Sequence, residues 1–526
     1  MSQLQHGLHE LLLLLQARSP SPQAALVVSL LLVCPLLVLL VARRFGTPST
    51  ATVTARARED QLSKLPSPPS RLPIIGHLHL VGPLPHVSLR DLAAEHGRDG
   101  LMLLRLGAVP TLIVSSPSAA QAVLRTHDQV FASRAYSPVT DILFYGSTDV
   151  AFCPYGEHWR QVKKIATTHL LTNKKVRLVV AKIREAATTG IAMDMSDLLN
   201  AFANDIVCHA VAGKSFRKQG HNKLFRELVE ANSSLIGGFN LEDYFPVLVK
   251  LDFIKRMVCA KARKVNKMWD KLLNSLIDEH ARRPASEQGG EESDFIDVLL
   301  SIQQEYNLTR DHIKAQLEIM FEAGTDTSFI VLEYAMVRLM QKPHLMNKLK
   351  TEVRSTISKG KEMIAEDDLS SLAYLKAVIK ETLRLHMPAP LLVPHLSMDD
   401  CKINGYIIPS GTHAIVNSWA LARDPSSWES AEEFMPERFM EGGSAATMDY
   451  KGNDFPYLPF GTGRRICPGI NFAIVTIEIM LANLMYHFDW KLPSESMEAS
   501  ISMTESFGVT VHRKEKLLLV PVVPED

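Results

Sequence analysis

Cys467 sits in the segment Phe460-Gly-Thr-Gly-Arg-Arg-Ile-Cys-Pro-Gly469, and an apolar run from Ile470 to Met485 follows at once. Glycines such as Gly461 permit positive φ and let the backbone approach a flat ligand. Pro468 suits the first position of a helix, where its missing N–H costs nothing. The spacing therefore predicts Cys467 at a helix N-terminus beside Arg464 and Arg465, and both influences favour its thiolate. A thiolate on a Gly-rich loop can ligate a haem iron, and nearby arginines can neutralise haem propionates.

A second candidate is Ala323-Gly-Thr-Asp-Thr-Ser328. It lies in the middle of an apolar-periodic stretch with Thr309 as N-cap, Asp311 in the first turn and an end at Met340, before Pro343. About thirty residues at 1.5 Å each span roughly 45 Å. Glycine and hydroxyl residues predict a local opening of the hydrogen-bond ladder there, and small side chains leave room for a ligand. Thr327 and Asp326 supply a hydroxyl and a carboxyl able to relay protons. Taken alone, the segment reads as a kink that helps packing.

Glu381 and Arg384 stand three apart on an amphipathic helix and share a face. By itself the pair reads as a solvated bridge worth little, although Arg438 in Pro436-Glu-Arg-Phe439 could complete a buried network. Trp159-Arg-Gln-Val-Lys-Lys164 opens another helix, with Trp159, Arg160 and Lys163 placed to meet acidic groups. Its simpler reading is a solvated basic face.

The elements that must hold these residues belong to a chain of 526 residues, 46% hydrophobic, with 57 basic and 57 acidic side chains. Nothing in that balance points to nucleic acid. Six cysteines without paired spacing argue for a reducing compartment and against a disulfide framework or zinc site. Residues 1–23 form an N-terminal segment in which Leu11 to Leu15 can lie along a membrane surface. Residues 24–42 carry no charge and stop at Arg43-Arg44, and 19 residues match the roughly 20 that cross a bilayer. Basic residues follow the segment, which predicts an uncleaved anchor with the remainder in the cytosol. Residues 43–73 read as a basic, polar, flexible linker stiffened by Pro66-Ser-Pro-Pro69. Strands are predicted at Leu101 to Leu106 and Thr111 to Ser115, then helices to about residue 395 with a polar loop at Arg282 to Ser293. Short strands and coil follow, then the cysteine loop, one apolar helix and a strand-like tail at Leu517 to Val522. Residues 74–526 read as one catalytic domain.

In this order and spacing the segments resemble the cytochrome P-450 superfamily, specifically the plant microsomal haem-thiolate monooxygenases. The resemblance runs from about Pro66 to the C-terminus and includes the anchor. The pattern F-x-x-G-x-R-x-C-x-G falls on Phe460, Gly463, Arg465, Cys467 and Gly469; the oxygen-binding helix falls on Ala323, Gly324, Asp326, Thr327 and Ser328; E-x-x-R falls on Glu381 and Arg384. The fold so implied is mainly α with small β-sheets, preceded by one transmembrane helix. Cys467 is then the axial ligand of haem b (iron protoporphyrin IX), bedded against Phe460 and Gly461. Trp159, Lys163, His395 and Arg465 would reach the propionates. Asp326 and Thr327 would pass protons to oxygen, and Glu381, Arg384 and Arg438 would form a structural triad.

The resemblance also implies O₂, electrons from NADPH through a separate NADPH-cytochrome P-450 reductase, a small-molecule substrate and membrane lipid, with cytochrome b5 as a further partner it admits. It places the chain in the endoplasmic reticulum membrane, single-pass, catalytic domain to the cytosol. Leu72 to His79, Leu104 to Pro110 and Met320 to Thr327 are similar to the grass enzymes that hydroxylate indole and indolinones towards benzoxazinoids. The pocket would then draw on Ser133 to Tyr145, Phe239, Phe321 to Thr327, Pro390 to Val393 and Phe507. Electron entry on the Cys467 side would use Lys163 and Lys164. Rivals are a haem-thiolate isomerase or dehydratase, against which Asp326-Thr327 speaks, a herbicide-detoxifying hydroxylase, and an anchored haem carrier. The chain departs from the family in having Lys163 and His395 where arginine is common. Leu171 to Ile183 also lacks a charged stretch that relatives carry, and a helix shortened there would perturb folding or haem retention.

Overall fold

The helix that carries the Ala323 to Ser328 segment starts as its sequence dictates. In the computed structural model Thr309 Oγ1 accepts from the His312 amide at 3.1 Å, and His312 Nδ1 accepts from the Thr309 amide at 3.3 Å. This reciprocal cap satisfies two amides that the first turn leaves open. The structure describes residues 50–169, 180, 182–185, 187, 191–214, 221–237, 240–246, 252–283, 294–493 and 501–524. The N-terminal segment, the predicted anchor, Phe239, most of the 171–183 departure and residues 284–293 of the polar loop lie outside them.

Eight helices matter for the site: α1 Glu157–His169, α2 Met195–Ala212, α3 His221–Gly237, α4 Ala260–Ala281, α5 Arg310–Gln341, α6 Pro343–Thr356, α7 Ala373–Leu385 and α8 Ile470–His487. α5 is 32 residues long and runs unbroken through residues 323–328, so the predicted opening is absent. Its weak residues are held from both sides: α5 packs along α2 and touches α3, α4, α7 and α8. Leu332, Met336 and Leu339 of α5 meet Leu375 and Val378 of α7 and Ile477, Met480 and Leu481 of α8 in one core. On its other flank Phe321 joins Phe225 of α3, edge-on at 5.0 Å, and Trp269 of α4. Each buried leucine or phenylalanine in these clusters contributes about 2 kcal/mol. α8 alone among the described helices is long and apolar enough to span a membrane, but 67% of it is buried inside the molecule. It is a core helix.

A four-stranded sheet flanks the helices: β1 Leu101–Leu106, β2 Val109–Val114, β3 His395–Leu396 and β4 His413–Val416, in the order β1-β2-β4-β3. β1 and β2 are antiparallel, β2 and β4 parallel, β3 and β4 antiparallel. β2 begins two residues before the predicted start, because the tight turn at Gly107 (φ +59°) already sets Val109 opposite Leu106. Near the C-terminus β5 Glu505–Phe507 and β6 Val511–Arg513 form a hairpin, and β7 Leu518–Val522 pairs with Asp489–Lys491 and Met193–Asp194.

The chain divides into a unit of residues 1–60 and a unit of residues 61–526. Thr50–Ser63 is helical, which corrects the expectation of a flexible linker there. Alanine, arginine, glutamate and glutamine in that stretch are good helix formers, and the helix ends ahead of Pro66. The Ser133 to Tyr145 stretch likewise holds a short helix, Pro138–Leu143, which Ser137 caps.

Candidate haem-thiolate site

The loop before α8 is shaped by its glycines. Gly461 and Gly463 adopt φ of +68° and +69°. A Cβ on Gly463 would lie 2.2 Å from the Leu124 carbonyl oxygen, so only glycine fits. The loop closes where the Cys467 amide donates to the Phe460 carbonyl at 3.1 Å. α8 starts at Ile470 with Gly469 as its N-cap, so Pro468 precedes the cap rather than opening the helix.

Cys467 faces a cavity of about 1600 Å³ of atom-free space, part of it open to solvent. Phe460, Gly461 and Leu392, Ala323, Gly324 and Thr327 of α5, and Arg134, Lys163, His395 and Arg465 all line it. Burial raises the Cys467 thiol above its ordinary pKa, against the Gly469 amide and the charge of Lys163, which lower it. The expectation that Arg464 and Arg465 favour the thiolate needs correction, because both guanidiniums turn elsewhere. Arg464 Nε pairs with Asp128 Oδ2 at 3.1 Å. Arg465 donates to the carbonyls of Ala132 (2.6 Å), Val150 (3.4 Å) and Cys153 (2.6 Å). A bound metal would itself hold the sulfur as thiolate.

The wall is strongly basic. Arg134, not singled out from sequence, is buried and donates to Ala151 O at 3.0 Å, Val393 O at 2.6 Å and Pro394 O at 3.0 Å. Burial, then the field of Arg465, pushes it well below the usual arginine range, and burial likewise lowers Arg465 to about 10. His395 Nδ1 donates to the Phe131 carbonyl at 2.7 Å, leaving Nε2 as the free ring atom. Burial and then Arg134 hold this ring well below its usual pKa. Trp159 Nε1 donates to Val150 O at 3.1 Å, while the Arg465 guanidinium lies 4.4 Å and Lys163 Nζ 5.1 Å from its ring. Lys163 also donates to the Arg464 carbonyl. The structure thus gathers Trp159, Lys163, His395 and Arg465 around one cavity and adds Arg134, which nothing in its neighbours Phe131-Ala-Ser133 marks out.

α5 lines the same cavity with residues 319, 320, 323, 324 and 327 at helical spacing. Thr327 Oγ1 donates to Ala323 O at 2.7 Å. Asp326, one residue round the helix, accepts from Thr510 and is pushed up by burial against the lowering effects of Thr510 and His512. Helical periodicity explains why Phe321, expected in the pocket, instead sits in the core with Trp269. Phe507 packs against His86 at 6.1 Å, away from the cavity. Of Ser133 to Tyr145 only Arg134 lines it.

Behind the site Glu381 and Arg384 are buried, so the surface-bridge reading does not stand. Arg384 Nε and Nη2 bond both Glu381 oxygens at 2.7 and 2.8 Å, and Nη1 reaches the Ala422 and Ala431 carbonyls. Arg438 Nε adds a 3.2 Å bond to Glu381 Oε1. This fork-to-fork geometry pins α7 to the coil that leads into the cysteine loop.

The residues present suit a haem. One cavity-facing thiol stands on a glycine loop, small residues of α5 line the same cavity, and the buried Arg134 and half-buried Arg465 form no ion pair among the described residues, although the field of the buried Asp149 reaches both. That charge arrangement suits a ligand bearing carboxylates at its edge. The five described cysteines are all free.

Comparison with known proteins agrees with this geometry. A family model described as Cytochrome P-450 matches residues 66–520. A Zea mays 3-hydroxyindolin-2-one monooxygenase is 53% identical, with 93% of this chain and 94% of that protein covered. A Zea mays indole-2-monooxygenase is 52% identical over 99% of each chain, and a Zea mays indolin-2-one monooxygenase 54% identical over 92% and 94%. A zebra fish cytochrome P-450 solved with abiraterone superposes with a TM-score of 0.70 at 24% identity, over 85% of this chain and 100% of that one.

Proposed function

Since the chain belongs to the cytochrome P-450 family and is a haem monooxygenase fed with electrons from NADPH by a partner reductase, we propose that its substrate is a small aromatic lactam or indole. The observation that carries the reading is the cavity: Ile319, Met320, Ala323, Gly324, Leu392 and Val393 make its walls apolar, with Thr327 as a hydroxyl among them. Such a chamber suits a flat, weakly polar ring better than a sugar or nucleotide. The indole and indolinone names of the Zea mays relatives point the same way.

Bound haem supplies the oxygen chemistry, with its thiolate ligand favouring O–O cleavage. In this proposal Cys467 is that ligand and Phe460 and Gly461 bed the ring. Arg134, Lys163 and Arg465 carry the charge that its propionates need, with Trp159 and the neutral ring of His395 beside them in the same wall. The walls orient substrate and exclude water. Thr327 holds a hydroxyl beside the reacting space, and Asp326 stands one residue away as a carboxyl able to take up and release a proton. We also assign residues 24–42 as the anchor, 43–73 as the linker and 74–526 as the catalytic domain, tethered to the endoplasmic reticulum membrane and facing the cytosol.

The test is expression in reductase-loaded membranes, a CO-difference spectrum of thiolate type, and turnover of indole, indolin-2-one and 3-hydroxyindolin-2-one. NADPH-dependent hydroxylation of one of them is expected. Oxidation of herbicides alone, with none of the three turned over, overturns the substrate assignment.

A further inference from the structure

The tip of the hairpin β5–β6 is docked on α3 by direct backbone contact. The Val509 amide donates to the Ser233 carbonyl at 3.0 Å. A Cβ on Gly237 would fall 1.8 Å from Gly508 C and Val509 N, and one on Gly508 would fall 2.8 Å from Ser233 Oγ. Only glycines allow that approach. From the docked tip Thr510 reaches Asp326: its hydroxyl donates to Asp326 Oδ2, and Ser233 Oγ lies 3.0 Å from Thr510 Oγ1. Thr510 and Ser233 are both buried. A hydroxyl has one hydrogen and an ionised carboxylate has none, so Thr510 spends its hydrogen on Asp326 and Ser233 donates to Thr510. The result is a polarised chain, Ser233 to Thr510 to Asp326, running from α3 into α5.

We propose that Thr510 is a positioning residue for Asp326: through it, the docking of α3 on the hairpin holds the carboxylate of Asp326 in one orientation and stabilises its charged form. The proposal rests on the reading that Asp326 handles protons for oxygen activation. Thr327 lines the cavity while Asp326 is tied to Thr510, so the acid next to the reactive hydroxyl is held by a contact that belongs to the hairpin. Other charges face Asp326 from the same elements. His512 on β6 favours its ionised form, Glu230 on α3 opposes it, and Asp326 in turn raises Glu322 one turn earlier on α5. Burial disfavours the charge of Asp326, and the Thr510 hydroxyl is the hydrogen bond that opposes it.

The test compares Thr510→Val, Thr510→Ser, Ser233→Ala and Asp326→Asn with wild type in reductase-loaded membranes, using the best substrate of the indole and lactam panel. The readouts are product formed per NADPH consumed and the pH midpoint of product formation. Thr510→Val is expected to lower product per NADPH several-fold, with more peroxide released, and to move the midpoint upwards; Thr510→Ser restores both. Ser233→Ala gives a smaller change of the same sign, and serves if Thr510→Val yields no haem protein. A residue with only a packing role would change the amount of folded protein and leave coupling and midpoint alone, and that result overturns the proposal. If Asp326→Asn itself changes neither readout, the proton-handling reading fails. If Asp326→Asn changes both while Thr510→Val and Ser233→Ala change neither, only the role of Thr510 fails.

Discussion

Arg134 and Arg465 lie in each other's field inside the protein and bond the same short loop, Arg134 at Ala151 and Arg465 at Val150 and Cys153. Neither forms an ion pair with a carboxylate among the described residues. A buried and a half-buried cation facing a cavity, with the Asp149 carboxylate acting on both without an ion pair, favour entry of a further anion.

Removing one of them should therefore separate haem binding from folding. Arg134→Leu and Arg465→Leu are expected to weaken haem retention by about a hundredfold, the roughly 3 kcal/mol lost with one partner of a buried charged pair. The haem-free protein should lose less stability, since removal of the charge offsets part of the lost hydrogen bonds to backbone carbonyls. Haem absorbance per mole of protein and melting of the apoprotein check both halves. Equal loss of apoprotein stability would assign the arginines to packing.

The buried triad predicts the opposite pattern. Glu381→Gln leaves Arg384 and Arg438 charged and unpaired in the core, and breaking such a pair costs about 3–5 kcal/mol. Folded haem protein should fall steeply. Arg384→Lys should not rescue it, because an ammonium cannot bond both Glu381 oxygens while also reaching the Ala422, Ala431 and Glu433 carbonyls. Yield of the CO-binding form at fixed expression measures this.

What the sequence made legible follows from local chemistry. The Thr309 cap, the Pro343 stop and the loop from Phe460 to Gly469 depend on residues near one another in the chain, and each could be read directly. Burial could not. Glu381 and Arg384 looked like a surface pair because the partners that bury them, Ala422, Ala431 and Arg438, are 38 to 57 residues away. Arg134 was invisible for the same reason, since Val393 and Pro394 reach it across about 260 residues of chain. The weak middle of α5 stayed helical because neighbouring helices, not its own propensity, support it.

Glu322 provides a pH signature. Buried beside Glu318 and bonded by Asn232 Nδ2 at 3.1 Å, it is raised by burial to about 8, well above an ordinary glutamate. An acid whose pKa is higher folded than unfolded stabilises the fold fully below its unfolded value, and that stability is lost as pH rises through the folded value. Melting temperature should therefore decline between about pH 5 and pH 8. In Glu322→Gln the decline should be smaller, and the variant should overtake wild type near pH 9. Parallel curves for the two proteins would show that Glu322 ionises normally.

Electron delivery separates two lysines that sequence reading had placed together. Lys163 turns inward to line the cavity, whereas Lys164, like Arg160, is exposed on α1. A docking reductase with an acidic face would meet the exposed pair. Charge reversal in Lys164→Glu with Arg160→Glu is expected to slow reduction of the haem several-fold at low salt, and the difference should shrink above about 0.1 M, where screening extends only about 10 Å. Lys163→Glu should instead place a carboxylate in the basic wall and cost haem occupancy, with little dependence on salt. Stopped-flow reduction across a salt series distinguishes the two; equal salt dependence for both variants would place Lys163 on the docking surface after all.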